Sequence, residues 1–307
     1  MQESKFFTIF GIALALFIVT SFIFSSTVKR DDVSVPSQVV SYPFESISLQ
    51  AKSVYVYDAR TKTVLFAHNE NVRRPLASLT KLMSALVAQE LSPSYGTVIV
   101  GQAALAAEGD SSLKEGERWS LKNLLDFSLV SSSNDGIRAV ALALGAIRSS
   151  EASTSEIIKD FVFQMNRKAG ELDLKNTYFW NETGLDESEL KGGAYGTVKD
   201  MAALMEYIIT YQPEMLEATR DTSGTFSSLD DLNHVAKNTN SLAGEIPGFL
   251  GSKTGFTSTA GGNLVLAFDP ELGRPIIISI LGSTEHGRFE DAWMLINATL
   301  RHISNTQ

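Results

Sequence analysis

Phe6 to Phe24 gives 19 consecutive residues without a charge, which as helix spans roughly the ~30 Å of a bilayer core. From Asp31 to about Gln50 the pattern turns polar, with Pro36 and Pro43, as in a spacer. Ser53 to Asp58 and Thr63 to Ala67 then read as two strands of a hairpin, joined by the turn-like Ala59-Arg60-Thr61-Lys62. After Arg74-Pro75, apolar residues recur at Leu82, Leu86 and Val87, so a helix is predicted to begin at or just before Ser78. Helical periodicity continues over Leu121 to Val130, Gly136 to Ile147, Ser155 to Ala169 and Val198 to Tyr211. Gly262 to Phe268 and Pro275 to Leu281 are near-continuous apolar runs suited to a buried sheet, and Arg288 to Ile303 closes the chain as a helix. Strands at both ends with helices between them predict an α/β lobe built from the two terminal segments, holding an inserted all-helical lobe. The expected organisation is an anchor over 1–28, a linker over 29–50, a folded domain over 51–304 and a tail over 305–307.

Composition narrows the chemistry. A chain of 307 residues with 44% hydrophobic content can bury a sizeable core. The net charge of −9, with no offsetting Lys/Arg cluster, argues against a nucleic-acid partner. There is no cysteine, hence no disulfide, thiolate metal site or cysteine nucleophile. His68, His234, His286 and His302 are scattered without metal-ligand spacing, so neither a metal nor a cofactor is expected.

Ser-x-x-Lys occurs four times, at Ser26, Ser78, Ser111 and Ser188, but only Ser78 opens a long helix with an apolar face. Lys81 lies one turn along that face, within reach of the Ser78 hydroxyl. A serine at a helix start also has backbone N–H groups beside it that favour an oxyanion. The chain's one Ser-x-Asn, Ser132 with Asn134, sits in a polar loop between two predicted helices. There a hydroxyl can relay a proton and an amide can hold a peptide carbonyl, although a plain helix-to-helix turn would explain it equally. Lys253-Thr254-Gly255-Phe256 occurs once, ahead of a predicted strand. A lysine and a hydroxyl projecting there, with Gly255 where a ligand approaches the backbone, make a carboxylate receptor, and a glycine turn is the bland alternative. Lys253 reads as an exposed cleft lysine.

The three motifs in this order match the set associated with penicillin-binding proteins and class A β-lactamases. Arg73-Arg74-Pro75-Leu76-Ala77-Ser78-Leu79-Thr80-Lys81, Lys175-Asn176-Thr177-Tyr178-Phe179 with Thr183-Gly184-Leu185-Asp186, and Gly251-Ser252-Lys253-Thr254-Gly255-Phe256-Thr257 resemble the D-alanyl-D-alanine carboxypeptidases. The resemblance runs from about Ala51 to about Ile303. It implies the two-lobed fold of serine DD-peptidases and β-lactamases, with an antiparallel sheet flanked by helices. It also implies that Ser78 attacks the bond between the terminal D-alanines of a peptidoglycan stem peptide, with Lys81 as base and Ser132 relaying a proton to the departing D-alanine. Asn134 would bind substrate amide, Lys253 and Thr254 the terminal carboxylate, and the N–H groups of Ser78 and Phe256 the oxyanion. Lys81 must then be uncharged, and burial with the neighbouring charge of Lys253 would lower its pKa. β-lactams would be covalent inhibitors.

Two alternatives stay open, a serine β-lactamase and a wall-sensing module without turnover. Class A β-lactamases deacylate through a glutamate in Glu-x-x-Leu-Asn. The nearest match, Glu171-Leu172-Asp173-Leu174-Lys175, lacks the asparagine, so Glu171 reads as a solvated charge at a helix end. The apolar run is followed by Ser25-Ser26-Thr27-Val28-Lys29-Arg30 rather than an Ala-x-Ala site, which favours a single-pass anchor in a bacterial membrane with the folded domain outside the cytoplasm, against secretion after cleavage.

Overall fold

The computed structural model describes residues 43–45, 47–109, 112–146 and 152–306. The apolar run Phe6 to Phe24, most of the expected spacer, Ser26 and Ser111 lie outside the described residues. Among the described residues no helix is long and apolar enough to cross a membrane.

The chain begins with a hairpin, β1 (Ser53–Asp58) and β2 (Thr63–His68), then β3 (Arg74–Pro75), a 3-10 turn at Ala77–Leu79 and helix α1 (Thr80–Leu91). The middle holds β4 (Thr97–Ile99), α2 (Gln102–Leu105), β5 (Arg118–Ser120), α3 (Leu121–Ser131), α4 (Asn134–Ala146) and α5 (Thr154–Glu171). Next come β6 (Tyr178–Phe179), β7 (Ala194–Gly196), α6 (Val198–Tyr211), a second 3-10 segment at Pro213–Arg220, β8 (Ser223–Ser227) and β9 (Asn233–Lys237). β10 (Phe249–Thr257), β11 (Gly261–Phe268), β12 (Ile276–Ser283) and α7 (Gly287–Asn305) complete it.

The terminal segments do combine. Five antiparallel strands run in the order β10-β11-β12-β1-β2, so the hairpin from the start of the chain pairs with the strands from its end, Ser53 opposite Leu281 and Asp58 opposite Ile276. Side chains alternate across the sheet. Val54, Val56, Leu264, Leu266, Ile276, Ile278 and Ile280 face one way and bury against Ala292, Leu295 and Ile296 of α7. Tyr55, Val265, Ala267, Ile277 and Leu281 face the other way, into a larger core formed with α1, α3, α4, α5 and α6. Both faces are covered, which is why β11 and β12 read as continuous apolar runs rather than alternating ones.

Several helix starts follow side-chain caps. Ser120 accepts from the Asn123 N–H, Thr197 from Asp200, and Ser153 forms a capping box with Glu156. Ser133 accepts from the Gly136 N–H, which starts α4 at Asn134, two residues before its apolar periodicity begins. α1 differs from its pattern more instructively. It is buried from Thr80 through Ala88, Lys81 and Ser84 included, so it is a central helix without a solvent face.

Candidate active site

The nucleophile turn is built by backbone conflict and relief. Ser78 does not open the α-helix as the spacing predicts: it sits in the 3-10 turn, and α1 starts at Thr80. Ala77 ahead of it has φ +49, a left-handed conformation that costs an L-residue about 1–2 kcal/mol. Its carbonyl accepts from the Thr80 hydroxyl at 2.7 Å and lies so close to Gly184 that a Cβ there would stand 1.9 Å from the oxygen. A Cβ on Gly255 would stand 2.9 Å from the Leu76 oxygen and 3.1 Å from the Ser78 nitrogen. Gly255 thus admits the backbone of Leu76 to Ser78, where the sequence suggested it would admit ligand. Two further bonds fix the approach, Leu76 N–H to the Ala194 carbonyl (2.9 Å) and the Asn263 amide to the Pro75 carbonyl (3.0 Å).

Lys81 is fully buried. Its Nζ lies 2.8 Å from Ser78 Oγ, 2.7 Å from Asn134 Oδ1 and 3.0 Å from the Thr183 carbonyl. The last two oxygens can only accept, so they hold two N–H bonds. A neutral amine in this position therefore aims its lone pair at the serine hydroxyl. Burial brings the Lys81 pKa from 10.5 to about 7, with the charge of Glu182 opposing the drop. The sequence reading gave part of this effect to Lys253, but the cause is burial.

Ser132 ends α3 in a left-handed conformation, φ 61, and receives a hydrogen bond from Lys253 Nζ at 2.8 Å. Lys253 also donates to the Thr254 carbonyl at 2.9 Å. It is 1% exposed, which corrects the expectation of an exposed cleft lysine: β10 carries it into the seam between sheet and helices. Burial, then the charges of Lys81 and Arg288, hold its pKa well below the ordinary value. Thus Ser132 and Asn134, two residues apart, each meet one of two buried lysines. The Asn134 amide NH₂ is anchored on the Glu108 carbonyl at 2.6 Å. Thr254 Oγ1 donates to Thr239 Oγ1 at 2.6 Å, and Phe256 is half exposed beyond Gly255. A cleft of ≈ 370 Å³ opens beside them, lined by Gly109, Phe127, Ser132, Asn134, Val235 and Lys237 among others.

Of the eight residues singled out in the sequence, Ser132 and Asn134 line this cleft; Ser78 and Lys81 join it through Asn134, Lys253 joins it through Ser132, and Thr254, Gly255 and Phe256 continue the strand from Lys253. Sequence reasoning missed Thr183, Thr239 and Arg288, whose guanidinium donates to the Gly255 carbonyl at 2.8 Å from α7. Thr183 lies in the quoted Thr183-Gly184-Leu185-Asp186 segment but had no role assigned to it, Thr239 and Arg288 carry no local motif, and only the fold brings each to the site. Glu171 sits at the end of α5, partly exposed and ion-paired with Arg167, as its sequence context suggested. Among the described residues no group of acidic or histidine side chains could hold a metal ion.

A serine and two buried lysines in a seam between an antiparallel sheet and a helical lobe define a penicillin-binding-protein type of fold. The crystal structure of the Streptomyces K15 DD-transpeptidase superposes with TM-score 0.74 over 83% of this chain and 98% of that one, at 24% identity. A D-alanyl-D-alanine carboxypeptidase from Mycobacterium tuberculosis H37Rv gives TM-score 0.70 at 26% identity, over 83% of this chain and 92% of that one. A family model described as D-alanyl-D-alanine carboxypeptidase matches residues 38–284, and the chain belongs to that family. Among curated relatives, the D-alanyl-D-alanine carboxypeptidase DacF of Bacillus subtilis is 33% identical over 222 residues, covering 69% of this chain and 52% of the relative. DacD of Escherichia coli K12 is 30% identical over 271 residues, covering 84% and 65%. The chain therefore spans about half to two thirds of the length of these relatives.

Proposed function

We propose that the protein is a serine-type D-alanyl-D-alanine carboxypeptidase that removes the terminal D-alanine from peptidoglycan stem pentapeptides through an acyl-enzyme on Ser78. The observation that carries this reading is the setting of Lys81: a buried amine, pKa about 7, with two N–H bonds held by fixed acceptors and its third direction on Ser78 Oγ. Such an amine is a general base matched to neutral pH.

Ser78 Oγ attacks the carbonyl between the two D-alanines as its proton passes to Lys81 Nζ. The oxyanion is received by the N–H groups of Ser78 and Phe256. When the C–N bond breaks, one proton reaches the departing amine through the Ser132 hydroxyl, which Lys253 Nζ contacts at 2.8 Å, and Lys81 gives up the one proton it took from Ser78. Water then cleaves the ester and returns the proton to Ser78. Asn134 holds substrate amide, and Lys253 with Thr254 receives the terminal carboxylate beside Gly255. Arg288, whose guanidinium donates to the Gly255 carbonyl, adds a positive charge beside this receptor, and a local charge of this kind draws a carboxylate in.

β-lactams acylate the same serine in this reading. The exposed position of Glu171 supports carboxypeptidase over β-lactamase, because among the described residues lining the cleft there is no acid to activate water against a bulky penicilloyl ester. The catalytic unit is 51–304, carried by an anchor over 1–28 and a linker over 29–50 outside the cytoplasm, where stem peptides are found. The 19-residue uncharged run supports that anchor.

The test is mass spectrometry of a stem pentapeptide incubated with the protein, followed by a penicillin label and chase. Loss of one alanine and a Ser78 adduct lasting minutes or longer are expected. A label cleared within seconds would favour the β-lactamase, and a label without alanine release the sensing module.

A further inference from the structure

A buried carboxylate that the mechanism above does not use acts on Lys81 through space. Glu182 is 1% exposed. Its segment is clamped to α1 on both sides: the Glu182 carbonyl accepts from the Ser84 hydroxyl at 2.6 Å, and the next carbonyl, of Thr183, takes Lys81 Nζ at 3.0 Å. Oε1 is 3.4 Å from Arg138 Nη1, on the helix that begins with Asn134. Oε2 is buried and, among the described residues, has no hydrogen-bond partner. An acid buried this way is costly unless nearby positive charge compensates it. Compensation comes from Arg138 at 3.4 Å and from Lys81 through space.

We propose that Glu182 is a positioning residue for acyl transfer: its buried carboxylate stabilises the ammonium that forms on Lys81 when Lys81 takes the Ser78 proton. It acts through Lys81 and touches neither substrate nor water. The inference rests on the reading of Ser78 as nucleophile and Lys81 as base. No atom changes hands at Glu182, since the proton moves from Ser78 Oγ to Lys81 Nζ and then toward the leaving group.

The charges around the pair are few and named. Lys253 faces Lys81 from β10, Arg138 faces Glu182 from α4, Glu187 reaches Glu182 from its own loop, and Arg288 of α7 acts on Lys253. Met165 of α5 contributes only its sulfur, against Ser84. Burial holds the Glu182 pKa above its ordinary value, with a backbone hydrogen bond and then Arg138 and Lys81 opposing the rise; in return Glu182 raises Lys81 against its own burial. Without Glu182, Lys81 would be a weaker base, neutral down to lower pH but less able to accept the serine proton.

The experiment is the pH dependence of penicillin acylation of Ser78 in the full chain, comparing the unmutated protein with Glu182→Gln and Glu182→Asp. For Glu182→Gln the acid limb is expected to move down by about one pH unit, with a plateau about fivefold lower because the base is weaker. Glu182→Asp keeps the charge and should restore the midpoint. A rate lowered equally at every pH with an unmoved midpoint would mean a merely structural role and overturn the proposal. Absence of labelling in the unmutated protein would overturn the underlying reading and the proposal with it, and is distinct from an unmoved midpoint. Should Glu182→Gln not fold, ¹³C-carboxyl NMR of Glu182 decides: its titration midpoint rises in Lys81→Met if the two charges are coupled, and an unchanged midpoint overturns the proposal.

Discussion

The two buried lysines of the site differ in what surrounds them, and the difference separates their tasks. Lys81, on a helix, has two fixed oxygen acceptors, the Ser78 hydroxyl and the opposing charge of Glu182, and burial lowers its pKa only to about 7. Lys253, on a strand, has Ser132 Oγ and the Thr254 carbonyl, and the groups that act on its charge are cations. The first environment tunes an amine to lose and regain a proton near neutrality. The second leaves an amine short of negative charge, ready to gain both a proton and an anion when a carboxylate arrives.

The comparison is broken most severely at the group both lysines serve. Ser78→Ala should abolish penicillin labelling and D-alanine release while circular dichroism stays unchanged, and residual labelling would dismiss Ser78 as nucleophile. Lys253→Ala should next weaken peptides with a free C-terminal carboxylate by about ten- to 100-fold, since a charge-assisted bond is worth ~1.5–3 kcal/mol. An equal loss on a C-terminally amidated peptide would assign Lys253 a different task. Binding of a carboxylate ligand should also take up protons, because the pKa of Lys253 is depressed in the free protein and rises beside an anion. Calorimetry in buffers of differing ionisation enthalpy reads this uptake, and affinity should fall as pH rises through the complexed pKa.

The smallest expected effect is on stability. Lys81 is charged in the unfolded chain up to about 10.5 but in the folded protein only up to about 7. The unfolded state thus binds more protons between those values, so the cost of burying Lys81 is full below pH 7 and fades as pH rises toward 10.5. Lys81→Met should accordingly raise Tm by a few degrees at pH 6 and less at pH 10, with the lost bonds to Asn134 and Thr183 offsetting part of the gain. A gain independent of pH would mean that packing, and not charge, sets the difference.

Much of this was legible in the chain. The runs Gly262 to Phe268 and Pro275 to Leu281, the helix over Val198 to Tyr211 and the hairpin at Ser53 are periodic enough to be read directly, and the structure reproduces them within two residues. The spacing of Ser78 and Lys81 also suffices, because one helical turn brings i and i+3 together whether the first turn is α or 3-10. Local spacing could not reveal the left-handed Ala77, because its cause is long-range: Gly184 and Gly255 make room for a carbonyl and an amide that approach from more than a hundred residues away in sequence. Burial of Lys253 was misread for the same reason, since β10 looks like an exposed rim until α3 and α7 close over it. Strands of two to five residues, β3 to β9, are too short to show a period at all.

The position of β1 in the sheet has a kinetic meaning. It lies between β2 and β12, and its register joins Ser53 to Leu281 across 228 positions of chain. Such pairing carries a high loop-closure cost, so folding should be slow and dominated by non-local contacts. During synthesis the first hairpin must wait, one edge unpaired, until nearly the whole chain exists, and an open edge of that kind is prone to aggregation. The strand bearing Lys253 joins the same sheet late, which means that Ser78 and Lys81 spend the folding process beside each other without their second lysine, and the protein acquires its chemistry only as its last strands close.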